Sequence, residues 1–332
     1  MNGNNKNKNF KLISGNGNKE LGDLISKKLN INLTKCIIEK FSNTECRVEI
    51  LENVRKCDIF IIQSGSANDN NTINDIIMET MIIIDACKRS DAKTITLIMA
   101  FYPYCRQDKK DRPRAPISGK VVATMLEAVG INRLIVMDLH AGQIQGFFNI
   151  PVDNLYSTNI IKDYLNSTIP ILNNGEYVLI SPDEGAIKRT KLLAERLKLK
   201  MMIMHKERDH SKKSVVEKSI LIGDNEYIKD KTCIILDDMV DTFGTIIKAA
   251  ETLNEYGVKD IIVVATHGIL SGPAIERLNE SKYIKKLIVS NTLPQKDNII
   301  KSDKIEIFDI SDIFSKAINC IITGESISKL FD

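Results

Sequence analysis

The strongest constraint on how this chain can fold is an echo between its two halves. Ala92-Lys93-Thr94-Ile95-Thr96-Leu97-Ile98-Met99-Ala100 is answered by Val258-Lys259-Asp260-Ile261-Ile262-Val263-Val264-Ala265-Thr266. Leu12-Ile13-Ser14, which opens a turn and a Leu-rich helical stretch, is answered by Leu179-Ile180-Ser181 with Leu192, Leu193 and Leu197 after it. Chance likeness between strand–helix units is the plainer explanation of short matches, and the shared order weighs against it. Around these echoes the spacing predicts strands at Phe10 to Ser14, Thr34 to Lys40, Glu45 to Ile50, Ile59 to Gln63 and Thr94 to Ala100, with helices at Leu21 to Leu29 and Asn74 to Lys88. Strands alternating with helices predict an α/β fold of two similar domains, each a mainly parallel sheet flanked by helices. In such sheets ligands sit at the carboxyl ends of strands, so the loops after strands are where chemistry is expected.

At 332 residues the chain can build two domains, each with its own core. A net charge of +3 is too small to argue for nucleic acid as a partner. The seven cysteines include no C-x-x-C pair, which fits a reducing compartment and gives them no chemistry. The richest apolar stretch, Ile76 to Ile84, is interrupted by Glu79 and Thr80 and ended by Asp85, so no membrane span is expected. Residues 1–9, with their N-G-N-N-K-N-K-N run, lack the apolar core of a signal peptide and the Arg/Ser pattern of a transit peptide. They are expected to form a disordered tail, and the location is expected to be cytoplasmic.

Thr232 to Thr245 reads T-C-I-I-L-D-D-M-V-D-T-F-G-T. Cys233 to Leu236 is expected to be a buried parallel strand closed by Asp237 and Asp238, followed by the turn Asp241-Thr242-Phe243-Gly244-Thr245 and a helix from Ile246 to Tyr256. Strand, turn and helix N-terminus make an anion site, because backbone N–H groups and the helix dipole face the ligand and Thr242 and Thr245 can add hydroxyl donors. Two carboxylates beside such a cradle make sense when the ligand carries hydroxyls or a metal: they can accept from a sugar diol or hold hydrated Mg²⁺. A plain helix cap would explain one Asp and one Thr, not the whole run.

Other strand-end stretches are less specific taken singly. Phe41-Ser42-Asn43-Thr44-Glu45 reads as a turn between two short strands. Phe101 to Pro116 sets five cationic side chains against two aspartates, just after three aromatic rings, and its place after a buried strand favours a nucleotide triphosphate over a solvated loop. Asp138 and His140 follow the strand Leu134 to Met137; in extended backbone they would share a side and could hold a cation, with Asp153 close behind in sequence. Asp183, after Ser181, is expected to face the same cleft as the acidic pair. Past the strand Met201 to Met204, Lys206 to Ser214 is polar and expected to be mobile: either a surface hairpin or a lid that closes Lys206 and Arg208 over phosphates. His267-Gly268 and Ser271-Gly272-Pro273 form a last small-residue loop.

The run 237–245 resembles the phosphoribosyl-diphosphate motif shared by type I phosphoribosyltransferases and ribose-phosphate diphosphokinases. From Phe10 to Phe331 the chain as a whole resembles the class I ribose-phosphate diphosphokinases. The motifs are F-S-N-T-E at 41–45, R-Q-D-K-K-D at 106–111, R-A-P-I-S at 114–118, D-L-H-A-x-Q-I-Q-G-F-F-x-x-P-V-D at 138–153 and P-V-D-N-L-Y at 151–156. H-K-E-R at 205–208, D-D-M-V-D-T-x-G-T at 237–245, T-H-G at 266–268 and S-G-P-A-I at 271–275 follow in order. The resemblance implies two phosphoribosyltransferase-like domains, 10–156 on the ATP side, joined by 310–332, and 157–309 on the ribose 5-phosphate side. It implies ATP between Arg106, Gln107 and Asp108 and the loop carrying Phe41, Asn43 and Glu45 from a neighbouring subunit, which replaces the plain-turn reading. Asp138, His140, Asp153 and Asp183 are implied as the Mg²⁺-associated set. Asp183, Asp237 and Asp238 are implied for the ribose 5-phosphate, and Asp241, Thr242, Phe243, Gly244 and Thr245 for its phosphate. Lys206, Arg208 and His140 are implied in catalysis, and the assembly as a homo-oligomer, a hexamer built from dimers.

Glu184 and Ile187 stand where the family usually has a small-residue D-A-G-G-A run, Asn149 where relatives often have Asp, and Gly142 where Ser is commoner. The expected reaction moves the β,γ-diphosphoryl group of MgATP to the C1 hydroxyl of ribose 5-phosphate. A base-transferring phosphoribosyltransferase would leave 106–111 and 206–208 unexplained. A non-catalytic regulatory relative would have lost Lys206 and Arg208.

Overall fold

The computed structural model describes residues 9–169, 172, 174–208 and 217–330; of the expected tail 1–9, residues 1–8 lie outside these. The described chain divides into two compact units, one of 9–156, 292–294 and 309–330, the other of 157–291 and 295–308.

In the first unit β1 (Phe10–Ser14) leads through α1 (Lys19–Leu29) to β2 (Cys36–Lys40) and β3 (Cys46–Ile50). Then come β4 (Asp58–Gln63), α2 (Ile73–Arg89), β5 (Thr94–Met99), α3 (Ser118–Val129), β6 (Arg133–Met137) and β7 (Val152–Leu155). The order β1-β4-β5-β6-β7 makes one wholly parallel sheet, while β2 and β3 form a separate antiparallel ribbon. Ile59–Gln63 and Ile95–Met99 are buried without a break, as expected of strands covered on both faces. α2 starts at a reciprocal capping box in which Thr72 Oγ1 accepts from the Asp75 N–H and the Asp75 carboxylate accepts from the Thr72 N–H at 2.8 Å.

The second unit runs α4 (Thr158–Thr168), β8 (Tyr177–Ser181), α5 (Ile187–Leu197), β9 (Lys200–Arg208), β10 (Glu217–Ile222), β11 (Thr232–Val240) and α6 (Gly244–Glu255). It continues β12 (Asp260–Gly268), α7 (Ala274–Glu280), β13 (Ile284–Ser290), α8 (Lys296–Lys301) and β14 (Ile305–Phe308), after which α9 (Ser311–Thr323) returns to the first unit and packs on α1. Its sheet is ordered β10-β9-β8-β11-β12-β13-β14, antiparallel only between β10 and β9. The parallel run β8-β11-β12-β13-β14 repeats the connection order β1-β4-β5-β6-β7. Both units are thus α/β with a mainly parallel sheet, the fold class the echo predicts.

Two strands run further than their apolar stretches. β11 does not close at the acidic pair but continues to Val240, because β12 goes on pairing with it, Asp237 opposite Ala265 and Val240 opposite Gly268. Its other neighbour, β8, pairs only as far as Ile235. β9 likewise continues past Met204 to Arg208, with Lys206 opposite Ser219 and Arg208 opposite Glu217 on β10. Lys206 and Arg208 therefore sit in a strand ladder rather than in the mobile segment expected from their polarity; the remainder of that segment, 209–216, lies outside the described residues. Among the described residues no helix is long and apolar enough to cross a membrane.

Candidate active site

Past Ile235 the β11 backbone keeps a ladder partner on the β12 side and none on the β8 side, and here Asp237 and Asp238 stand. Asp238 is 5% exposed, and its N–H donates to Asp237 Oδ1 at 2.8 Å. Burial, the charge of Asp238 and a side-chain hydrogen bond with it, and the charge of Asp183 hold the Asp237 carboxyl well above the usual carboxylate range, against the pull of Arg189. Such a cluster gains from a ligand that donates hydrogen bonds or brings positive charge.

The turn after β11 is fixed from outside. Ser271 Oγ donates to Asp241 Oδ1, and Arg277 Nη1 donates to the Thr242 carbonyl at 2.8 Å. Phe243 takes a left-handed φ of 67° and buries its ring in the second unit's core, which pins the chain where α6 begins. No side chain caps α6, and Thr242 and Thr245 on either side of its start are exposed. A helix start with uncapped N–H groups beside two hydroxyls is suited to a phosphate.

The loop after β8 carries Asp183. Its Oδ1 accepts from the Ala186 N–H at 3.1 Å, and Ser181 Oγ donates to its carbonyl at 2.8 Å. Glu184, one of the departures from the family pattern, lies with Oε1 3.2 Å from His205 Nδ1, just before Lys206. Arg189, in the first turn of α5, brings Nη1 to 3.5 Å from Asp238 Oδ1. Asp183, Asp237, Asp238 and the turn 241–245 are therefore gathered at one end of the second unit's sheet. Arg189, Arg277 and Ser271 join them, and sequence reasoning missed their part; Ser271 lay inside a quoted motif, but nothing local marks the two arginines.

In the first unit the loop after β5 is held by its own backbone: Gln107 donates to the Tyr104 carbonyl at 3.3 Å, and its carbonyl accepts from the Gly119 N–H at 3.1 Å. Ser118 Oγ donates to Gln107 Oε1, and Gln143 Nε2 donates to Asp108 Oδ2 at 2.7 Å. That last bond ties the stretch Arg106, Gln107, Asp108 to the segment carrying His140. Arg106 and Gln107 are exposed. Phe41, Asn43 and Glu45 lie elsewhere, at the tip of the β2–β3 ribbon, where the Phe41 N–H donates to the Glu45 carbonyl at 2.8 Å. Phe41 is 51% exposed, with the Arg47 guanidinium 6.0 Å from its ring centre.

Two expectations for the metal set need correction. Asp138 and His140 do not share a side of an extended segment: Asp138 turns the chain with φ 39° and is buried, whereas His140 is exposed. Asp153 lies within β7 opposite Ile135, and its carboxylate is 2.5 Å from Arg133 Nη1, at the opposite end of β6 from Asp138. The guanidinium neutralises it, so Asp153 does not act as a ligand here. Among the described residues no group of three or more His, Cys, Asp or Glu side chains could hold one ion.

Two family descriptions match the sequence: the N-terminal domain of ribose phosphate pyrophosphokinase over 10–130 and the phosphoribosyl synthetase-associated domain over 220–332. Ribose-phosphate pyrophosphokinase A of Dictyostelium discoideum is 46% identical over 322 residues, spanning 97% of this chain and 98% of its own. Ribose-phosphate pyrophosphokinase 2 of Schizosaccharomyces pombe is 44% identical, spanning 97% of each. Among solved structures, phosphoribosylpyrophosphate synthetase from Mycobacterium smegmatis is similar with a TM-score of 0.86 at 38% identity, over 96% of this chain and all of that one.

Proposed function

The chain belongs to the ribose-phosphate pyrophosphokinase family, and from that premise we propose that it transfers the diphosphoryl group of MgATP to the C1 hydroxyl of D-ribose 5-phosphate. The products are 5-phosphoribosyl 1-diphosphate, a precursor for nucleotide biosynthesis, and AMP. The observation that carries the reading is a carboxylate pair on β11 followed, after the turn 241–243, by the uncapped start of α6, in a chain related to these enzymes over 97% of its length.

Asp237 and Asp238 accept from the ribose hydroxyls, and Asp241 to Thr245 hold the 5-phosphate through the turn amides and the hydroxyls of Thr242 and Thr245. Arg106, Gln107 and Asp108 take the ATP, with Phe41, Asn43 and Glu45 supplied from the ribbon of a second copy in a homo-oligomer. The C1 oxygen attacks the β-phosphorus, a new C1–O–Pβ bond forms, the bridge to the α-phosphate breaks and AMP leaves. No side-chain nucleophile is needed; the protein's work is to align the reactants and stabilise charge, with Lys206, Arg208 and His140 acting on the phosphates. Asp183 is proposed as a donor for Mg²⁺, which if bound would supply positive charge to the phosphate oxygens. The enzyme works in the cytoplasm. ³¹P NMR of the purified chain with MgATP and ribose 5-phosphate tests the reading: AMP and a C1-diphosphate are expected, and ADP or unchanged substrates would refute it.

A further inference from the structure

Asp183, Asp237 and Asp238 crowd negative charge at the carboxyl ends of β8 and β11, and one guanidinium is placed among them. Arg189 belongs to the first turn of α5, the end of a helix where a cation is unfavourable, and that turn has no acidic residue of its own. Its Nη1 is buried and has no hydrogen-bond partner. A buried donor left unmade is rare in a folded protein and is not explained by the packing of α5. What faces it is Asp238, with Oδ1 3.5 Å away and the two side chains 25% and 7% exposed. At that separation Nη1 balances charge without a hydrogen bond that would use Oδ1 as an acceptor. The same guanidinium is the charge that opposes the upward pull on Asp237.

We propose that Arg189 is a positioning residue for the sugar: it holds Asp238 in place and balances the acidic pair, so that both carboxylates face the ribose hydroxyls. The proposal rests on the reading of this pair as the ribose site. An arginine in this role touches no substrate and acts through Asp238, so its loss weakens ribose 5-phosphate binding selectively.

The test uses the full chain with Arg189→Gln and Arg189→Lys, measuring KM for each substrate, kcat, and ribose 5-phosphate binding by calorimetry. Gln is expected to raise the KM and Kd for ribose 5-phosphate by ~10-fold or more while the KM for ATP changes by less than ~2-fold, and Lys to recover part of the loss by keeping the charge. A folded Gln variant that binds ribose 5-phosphate like the parent overturns the proposal. So does an equal loss for both substrates that Lys does not repair. Should the Gln variant not fold, Asp238→Asn alone and combined with Arg189→Gln decide, since both remove the carboxylate charge that Arg189 balances. If Arg189 acts through Asp238 the second substitution adds little to the ribose 5-phosphate KM, and additive losses refute the proposal. A parent chain that turns over neither substrate brings down the reading of the site itself, before any variant is compared.

Discussion

Two carboxylates and one guanidinium bear on Asp237, and burial together with the carboxylates outweighs the guanidinium. A carboxyl raised in this way keeps its proton in the folded chain at a pH where the unfolded chain has released it. Its contribution to stability is therefore present below the unfolded value of ~3.9 and is lost as pH rises through the folded value. Asp237→Asn removes that dependence. The variant's Tm should match the parent's near about pH 4 and exceed it by a growing margin toward about pH 8, while ribose 5-phosphate binding is lost. Calorimetric melts across that range check this, and a variant that melts below the parent at the alkaline end contradicts it. The acidic pair was legible in the sequence because two adjacent carboxylates at the end of an apolar run have few structural uses. Asp153 misled for the opposite reason. Its partner Arg133 lies twenty residues earlier, and only the register of β7 on β6 brings the two side chains to 2.5 Å.

At the level of elements, the strands of both sheets could be read because helices cover both faces and leave unbroken apolar runs such as Ile59–Ile62 and Ile261–Val264. Where strands end could not be read, since that depends on how far a neighbour goes on pairing. β11 outlasts its apolar run because β12 accompanies it to Gly268, and polar β9 reaches Arg208 because β10 folds back along it. This gives the proposed catalytic pair a different mechanical setting: Lys206 and Arg208 are two positions apart on the backbone of a strand ladder. Lys206→Ala should lower kcat by ~10²-fold or more, the scale of losing one charge-stabilising group, with ATP binding largely intact. Steady-state kinetics together with nucleotide titration separates the two effects. A kcat equal to the parent's removes Lys206 from the chemistry, whereas a lost ATP affinity with normal kcat would make it a binding group instead.

For the whole molecule, the relevant feature is a run of exposed apolar side chains on the first unit. Met78 on α2 is 49% exposed, Val121 on α3 52%, and Tyr104 beside them 44%. These residues border a groove of about 350 Å³ whose walls include Ile77, Met81, Val122 and Met125. Leaving such a patch in water forgoes the burial free energy of several side chains, roughly 1.5–3 kcal/mol for each that could be fully covered. The proposed homo-oligomer accounts for it, and also for Phe41, an aromatic ring left half in solvent at the end of a ribbon that belongs to no larger sheet. The 37.3 kDa chain is therefore expected to elute at a whole-number multiple of that mass in light scattering. Val121→Glu, alone or with Met78→Glu, places charge in the patch and should shift the population toward single chains, since an unpaired charge at an apolar contact costs several times what the contact returns. Activity should fall in step with dissociation and recover as protein concentration is raised, as the proposed placing of Phe41 against the nucleotide loop of another copy requires. Phe41→Ala should raise the KM for ATP at every concentration while leaving ribose 5-phosphate binding unchanged. If the charged variants kept both the parent's mass and its turnover, the patch would not be the contact between copies, and Phe41 would have to find its nucleotide by another route.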